Sequence, residues 1–363
     1  MIDFFCAEMD RILGFCAECF FVCDNKSICV AVSGGSDSMS LLLMSAEWSR
    51  RNNVKINCVT VDHKLRKESA MEAQFVEKFC ESIGVDHTIL EWHREYGNID
   101  HGKLENLARE ARYELMADFC ESNEINFLLV GHTWNDQLET FEIRRSSGSS
   151  KIGLACMSQV RSVTDKVKLL RPLLYFEKKQ LNDFLMARGI SWKEDPMNDQ
   201  DFFLRVSWRK KINCYGSQQL LSISNEIAQL GRRRNAIESA AVCFLQNFCE
   251  FSSDGYAIIE KKLLLLEGKS VQAEILKRVI WNIGGKRYAS NITEDICDQI
   301  LSKKLNTIGR CLLKVKKDKV FVLKENRKIY QAISNVKANI FDVFLCSSEA
   351  ANPCLKKLLS HDP

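Results

Sequence analysis

The sequence has no run of about 18 uncharged apolar residues, the length that crosses a bilayer, so no segment is expected to span a membrane. Nor does a basic stretch precede an apolar one at the start. The first apolar segment already carries Asp3, Glu8, Asp10, Arg11 and Glu18, and a secretion signal is not expected. There is no internal repeat, and 46% apolar with 27% charged residues excludes a disordered or low-complexity chain. The 16 cysteines are scattered from Cys6 to Cys354 without the dense spacing of a disulfide framework, which points to a reducing cytoplasm. Cys16, Cys19 and Cys23 form the one close cluster. A tetrahedral metal site would want a second pair at similar spacing, so these read as buried helix cysteines.

At 363 residues the chain is long enough for two or three domains. Its net charge of +4 is unevenly placed: residues 1–140 sum to −11, 141–213 to +7 and 214–363 to +8. A basic back portion is the expected footprint of a polyanion partner, with a solvated basic surface as the alternative. The expected organisation is a catalytic domain over 1–213 and a basic, mostly helical region over 214–363. The latter contains the run Arg232, Arg233, Arg234 and a hairpin within 310–325.

The front half alternates strand and helix. Strands are expected at 27–32, 54–61, 85–90 and 126–130, each followed by a helical stretch, with a short strand at 168–172 that Pro172 stops. Such alternation predicts an α/β fold, a parallel sheet covered by helices on both faces, with ligands held beyond the carboxyl ends of the strands. The notable polar residues fall at those ends: 33–38, Asp62 with His63, and His132.

The stretch Ser33, Gly34, Gly35, Ser36, Asp37, Ser38 lies between the first strand and the first long helix. Two glycines permit a tight turn with N–H groups facing inward, and serine hydroxyls and a helix N-terminus add donors, so the loop is expected to cradle an anion. It lacks the Lys-Ser/Thr ending of a Walker A loop and the glycine spacing of a dinucleotide fingerprint. A carboxylate beside phosphates is repelled unless a cation lies between them, so Asp37 is assigned to Mg²⁺.

This loop resembles the PP-loop of the ATP pyrophosphatase superfamily, whose members cleave ATP between the α and β phosphates. Further stretches narrow the resemblance to the tRNA(Ile)-lysidine synthetases. They are VDHKLR at 61–66, NLAREARY at 106–113, GHTWNDQLET at 131–140, GLACM at 153–157, RPLL at 171–174 and WKEDPMN at 192–198. The match covers roughly residues 28–210 in one order. Thr133 and Asn135 stand where that family often has a second His or Asp, and the loop near 148 lacks its usual Arg and second glycine.

The resemblance implies a cytoplasmic ligase acting on the wobble cytidine of a tRNA(Ile) with a CAU anticodon. ATP as cosubstrate adenylates O2 of the base, the side-chain amine of L-lysine attacks C2, and AMP leaves. The product lysidine pairs with A instead of G, which changes decoding from AUG to AUA. It further implies Asp136 and Glu139, on one helix face, for lysine recognition or deprotonation, with a capping Asp and an exposed Glu as the alternative. His132 would orient the nucleotide or stabilise the adenylate. Asp62, His63 and Arg66 are placed near ATP, unless His63 is a satisfied loop histidine. Arg109 and Arg112 are expected to face phosphate or to form a salt-bridged helix surface. Arg171, Arg205 and Arg209 are expected on ATP or tRNA phosphates, or as surface charge.

Three other readings compete. A cytidine thiolase would need paired cysteines for an iron-sulfur cluster after the loop, and no Cys-x-x-Cys follows Ser38. A glutamine-using ligase would need a terminal nucleophilic cysteine or a partner glutaminase, and Cys6 is not terminal. A non-catalytic nucleotide-responsive RNA-binding protein would bind without releasing AMP and pyrophosphate. The oligomeric state, with a homodimer among the options, stays open at this level.

Overall fold

The computed structural model describes residues 1–14, 26–64, 68–92, 101–164, 166–193, 203–252, 255–284, 292–302 and 305–324. Arg66 and the cysteines at 16, 19 and 23 lie outside them. The chain divides into two compact units, Met1–Arg232 and Arg233–Pro363.

In the first unit β1 (Ser27–Ala31), β2 (Lys55–Asp62), β3 (Asp86–Glu91), β4 (Phe127–Leu129), β5 (Val160–Ser162) and β6 (Lys168–Leu170) form one sheet of order β3-β2-β1-β4-β6-β5. All pairings are parallel except β5 with β6. The strands are short runs rich in Ile, Val, Leu and Cys, which suits burial on both faces. In β1 the side chains alternate: Ile28 and Val30 join one core, Cys29 the other.

The first core packs under α1 (Ile2–Gly14), α2 (Ser36–Asn52), α3 (Glu68–Ile83) and α7 (Lys178–Met186), through residues such as Met9, Leu41, Val76 and Leu181. The second packs under α4 (His101–Ser122), through Met116 and Cys120. Burying one large aliphatic side chain in such a core contributes about 1.5–3 kcal/mol. A third apolar cluster joins α5 (Trp134–Ser146), through Leu138 and Phe141, to Ile212 of α8 (Phe203–Ile212) and to Ile223 and Ile227 of α9 (Ser217–Phe248). Between α5 and β5 lies the short α6 (Lys151–Leu154), N-capped by Ser150.

Because β1 has β2 on one side and β4 on the other, the helices following β1 and β4 leave the sheet from adjacent strands. This is the switch point at which open parallel sheets hold ligands.

The second unit holds a five-stranded antiparallel sheet of order β7-β8-β11-β10-β9, from β7 (Cys249–Ser252), β8 (Tyr256–Glu260), β9 (Leu305–Ile308), β10 (Cys311–Lys316) and β11 (Lys319–Lys324). The expected hairpin is present: Lys316 faces Lys319, and Lys317 takes a positive φ in the two-residue turn. It sits within a larger sheet covered by α11 (Lys269–Gly284) and α12 (Glu294–Ser302), with the short α10 (Lys261–Leu266) following β8. The division at 232/233 falls within α9. Ile223 and Ile227 pack with the first unit, whereas Ala241 and Phe244 belong to the core of the second.

Candidate functional site

Beyond β1 the Val32 N–H still bonds to the Val59 carbonyl, and the chain then turns at Gly34, whose φ of +85° favours glycine. The Ser33 N–H donates to Ser38 Oγ at 3.1 Å, and that hydroxyl donates to the Gly35 carbonyl at 2.9 Å. Gly35 caps α2 without a side chain, so the first-turn N–H groups of Ser36, Asp37 and Ser38 have no intrahelical acceptor. Together with the positive end of α2 they present the unpaired donors that an anion cradle at residues 33–38 would use. Lys193 closes its far side, its N–H donating to the Gly34 carbonyl at 2.9 Å.

Strand β4 leads into the same place. A Cβ built on Gly131 would lie 3.2 Å from backbone atoms of Asp37 and Ser38, so a side chain here would push the two segments apart by a few tenths of an ångström. Thr133 then starts α5 with a capping box, its N–H and hydroxyl both donating to Asp136 Oδ2, at 2.8 and 3.0 Å. The capping role weighed for Asp136 is therefore real. Glu139 is not exposed: its side chain is 6% accessible, Oε1 accepts from Arg209 Nε at 2.7 Å, and Oε2 is buried without a hydrogen-bond partner.

Asp37 belongs to this acidic group. Burial is the largest influence and raises its pKa to about 6. Lys178 and Arg209 pull the value down, while Asp136 and Glu139 push it up. Its Oδ1 is buried without a hydrogen-bond partner, and Lys178 Nζ lies 4.0 Å from Oδ2.

A cationic group lies at the same strand ends. Arg171 is buried, and its Nε donates to His132 Nδ1 at 3.3 Å. Burial, countered by Asp136 and reinforced by Arg171, Arg109 and Arg205, lowers the His132 pKa to about 4. Arg112 Nε donates to His63 Nε2 at 3.0 Å, and burial first, then Arg112, brings His63 to about 4 against the opposing Asp62. His63 meets the Trp92 ring edge to face. Asp62 is buried, and its Oδ1 accepts the Lys64 N–H at 2.8 Å. Arg109 lies over the Tyr113 ring. Thus Arg171 is not surface charge, Arg112 engages a histidine and Arg209 engages a carboxylate.

Two contributors escape sequence reasoning. Lys178, at the start of α7, is brought to Asp37 because its N–H bonds to Asn135 Oδ1 and the Phe176 carbonyl accepts from Trp134 N–H. Gln137 clamps the Met157 backbone through both ends of its amide. For Lys178 no local signal exists; for Gln137 the GHTWNDQLET stretch itself is the signal.

A family model described as a PP-loop domain matches residues 9–214. The tRNA(Ile)-lysidine synthase of Wolbachia pipientis wMel is 29% identical over 326 residues, covering 87% of this chain and 74% of that protein. The corresponding protein of Ruegeria pomeroyi is 31% identical, covering 78% and 68%. That of Brucella suis biovar 1 is 38% identical over 60% of this chain, which spans only 48% of it. Among solved structures, the U34-tRNA thiolase NcsA from Methanococcus maripaludis with its [4Fe-4S] cluster superposes with a TM-score of 0.51 at 15% identity. The likeness covers 63% of this chain and 78% of that one, and shares the fold alone. By sequence the chain belongs to the PP-loop proteins, and among them to the tRNA(Ile)-lysidine synthase family.

Proposed function

We propose that the chain ligates L-lysine to C2 of the wobble cytidine of a tRNA(Ile) with a CAU anticodon, consuming ATP and releasing AMP and pyrophosphate. The carrying observation is the juxtaposition of the loop at 33–38 with two buried carboxylate oxygens that lack hydrogen-bond partners, Asp37 Oδ1 and Glu139 Oε2. An anion cradle beside oxygens that seek cations suits a reaction whose substrates are a triphosphate and an ammonium group.

The C2 carbonyl oxygen of cytosine is a poor leaving group, and transfer of AMP to it makes it displaceable. The first-turn N–H groups of Ser36, Asp37 and Ser38 hold phosphate oxygens, and Lys178 supplies the cation that this loop lacks relative to a Walker A loop. Among the described residues no three His, Cys, Asp or Glu side chains gather as a metal site. Asp37 fits Mg²⁺ in the usual manner of one carboxylate completed by substrate phosphates, and its unpaired Oδ1 would be the atom that holds the ion. Such a cation supplies charge neutralisation at the phosphates.

Lysine arrives mostly as ammonium at neutral pH, its side-chain pKa being about 10.4. Asp136 and Glu139 bind that cation, and one of them takes a proton from it so that the free amine attacks C2; a second proton is lost as the C2–N bond forms and AMP leaves. The net positive charge beyond residue 140 supports tRNA phosphate contacts. The test incubates the purified chain with ATP, Mg²⁺, labelled L-lysine and a CAU-anticodon tRNA transcript. Label in the tRNA is expected, absent with the Asp37→Ala variant; no transfer by the unaltered chain overturns the reading.

A further inference from the structure

His132 follows β4, three residues beyond its end, and one contact settles which of its ring nitrogens carries hydrogen. Arg171 Nε donates to Nδ1 at 3.3 Å. A guanidinium is always protonated and accepts nothing, so the nitrogen facing it presents a lone pair. The hydrogen of the neutral ring is then on Nε2. The groups bearing on this imidazole are Asp136 of α5, Arg109 of α4, Arg205 of α8 and Arg171 itself, and three of the four are cations that oppose a second proton.

Arg171 is held in turn. It is 4% exposed, its Nη1 donates to the Ser158 carbonyl at 2.8 Å, and its own N–H donates to the Gln159 carbonyl at 2.8 Å. The segment that offers these carbonyls passes through Cys156, whose φ of +56° is left-handed, and is clamped by Gln137 of α5. Gln137 Nε2 donates to the Met157 carbonyl at 3.0 Å, and Oε1 accepts from the Met157 N–H at 2.9 Å. At 6% exposure this amide makes the bonds that a neighbouring strand would make.

We propose that Arg171 and Gln137 are positioning residues that lock His132 as the neutral Nε2–H tautomer, so that His132 acts as a hydrogen-bond donor to a phosphate oxygen and not as a base. The role deepens the proposed function and rests on it, but the lock is a property of the ligand-free chain. The chemistry of adenylation favours a donor. As the O2–phosphorus bond forms and the bond to pyrophosphate breaks, negative charge moves onto phosphate oxygens, while O2 of cytosine carries no proton for a base to remove. The proton lost by the lysine amine in the later step has Asp136 and Glu139 to receive it.

The test is nitrogen NMR of the ligand-free chain with labelled histidine rings, the signals of His132 among the six histidines being identified by their loss in His132→Gln. The expected result is a neutral ring protonated on Nε2 throughout pH 5–8. A ring protonated on Nδ1, or one titrating between pH 6 and 7, overturns the proposal. In Gln137→Leu the Nε2–H signal should broaden or share population with the other tautomer. Its kcat for pyrophosphate release should fall about tenfold, with KM for ATP within about twofold, the pattern of lost alignment. A loss confined to KM, or unchanged kcat, counts against the positioning role. If the lock is seen but no lysine reaches tRNA, the proposed function fails and the tautomer assignment stands.

Discussion

Asp37 should cost the ligand-free protein stability that its neutral isostere would return. With a pKa of about 6 in the folded chain against 3.8 for an ordinary Asp, the folded state binds more protons than the unfolded one between those values. Stability therefore falls as pH rises through this window, and above it the whole cost is present. At about 1.4 kcal/mol per pKa unit the cost reaches roughly 3 kcal/mol. Asp37→Asn removes it and forfeits one smaller contribution. A carboxylate in the first turn of α2 gains about 0.5 kcal/mol from the helix dipole. The attraction of Lys178, 4.0 Å from the carboxylate, is already contained in the raised pKa and is not subtracted again.

The balance leaves Asp37→Asn more stable by about 2.5 kcal/mol at pH 7.5, with the gap shrinking as pH falls from 6 toward 4. Urea denaturation of both proteins at pH 7.5 and 4.5 measures it. Added Mg²⁺ with an ATP analogue should reverse the order, because ligand binding stabilises only the chain that holds it. A variant less stable than the parent at pH 7.5, or a gap that ignores pH, refutes the reasoning.

Three further outcomes are expected. Glu139→Gln keeps the shape but removes the charge that Arg209 faces, so lysine transfer should fall about 100-fold while pyrophosphate release without lysine stays within about threefold; equal losses in both would contradict the assigned step. Lys178→Met should weaken binding of an ATP analogue about tenfold or more, as expected for losing a charge-assisted contact, and leave the KM for lysine unchanged. Calorimetric binding and steady-state kinetics decide this. Gly131→Ala pushes a methyl against backbone at 3.2 Å, where no side chain can swing aside. It should cost about 1–3 kcal/mol in chemical denaturation and slow AMP formation, and parent-like behaviour in both would show that the strand end tolerates separation from the loop.

The strand–loop–helix start of the fold was legible because residues 27–38 combine a buried apolar run, two glycines and a helix-starting serine in one local window. The hairpin was legible for the same reason: Leu313 and Val315 alternate with Lys314 and Lys316 and face Val322 and Val320 across a two-residue turn. Strand β5 was not, since Val160–Ser162 is three residues without alternation and gains its identity only by pairing antiparallel with β6. β7 likewise depends on β8. In the site, Asp37, Asp136, Glu139 and His132 announced themselves by chemistry near strand ends. Lys178 did not, because its approach to Asp37 depends on α7 packing along α2, where Ser40 Oγ donates to the Leu181 carbonyl at 3.3 Å. Nor could sequence separate a phosphate-facing arginine from one that serves another side chain. Arg171, Arg112 and Arg209 differ only in what the fold sets beside them.

That difference explains how three carboxylates, Glu139 buried and the other two half-buried, share one corner. Asp37, Asp136 and Glu139 would repel one another in a medium of low dielectric constant, and each is offset locally: Lys178 stands by Asp37, the Thr133 N–H and hydroxyl serve Asp136, and Arg209 serves Glu139. In Asp37 and Glu139 only one oxygen is so engaged, and the other is buried without a hydrogen bond. Leaving such an oxygen unsatisfied costs about 1–3 kcal/mol. A cation bound at such an oxygen would recover that cost. The protein's own cations thus hold the acidic corner together, and under the proposed function the two unpaired oxygens are the atoms that would meet Mg²⁺ and the substrate ammonium.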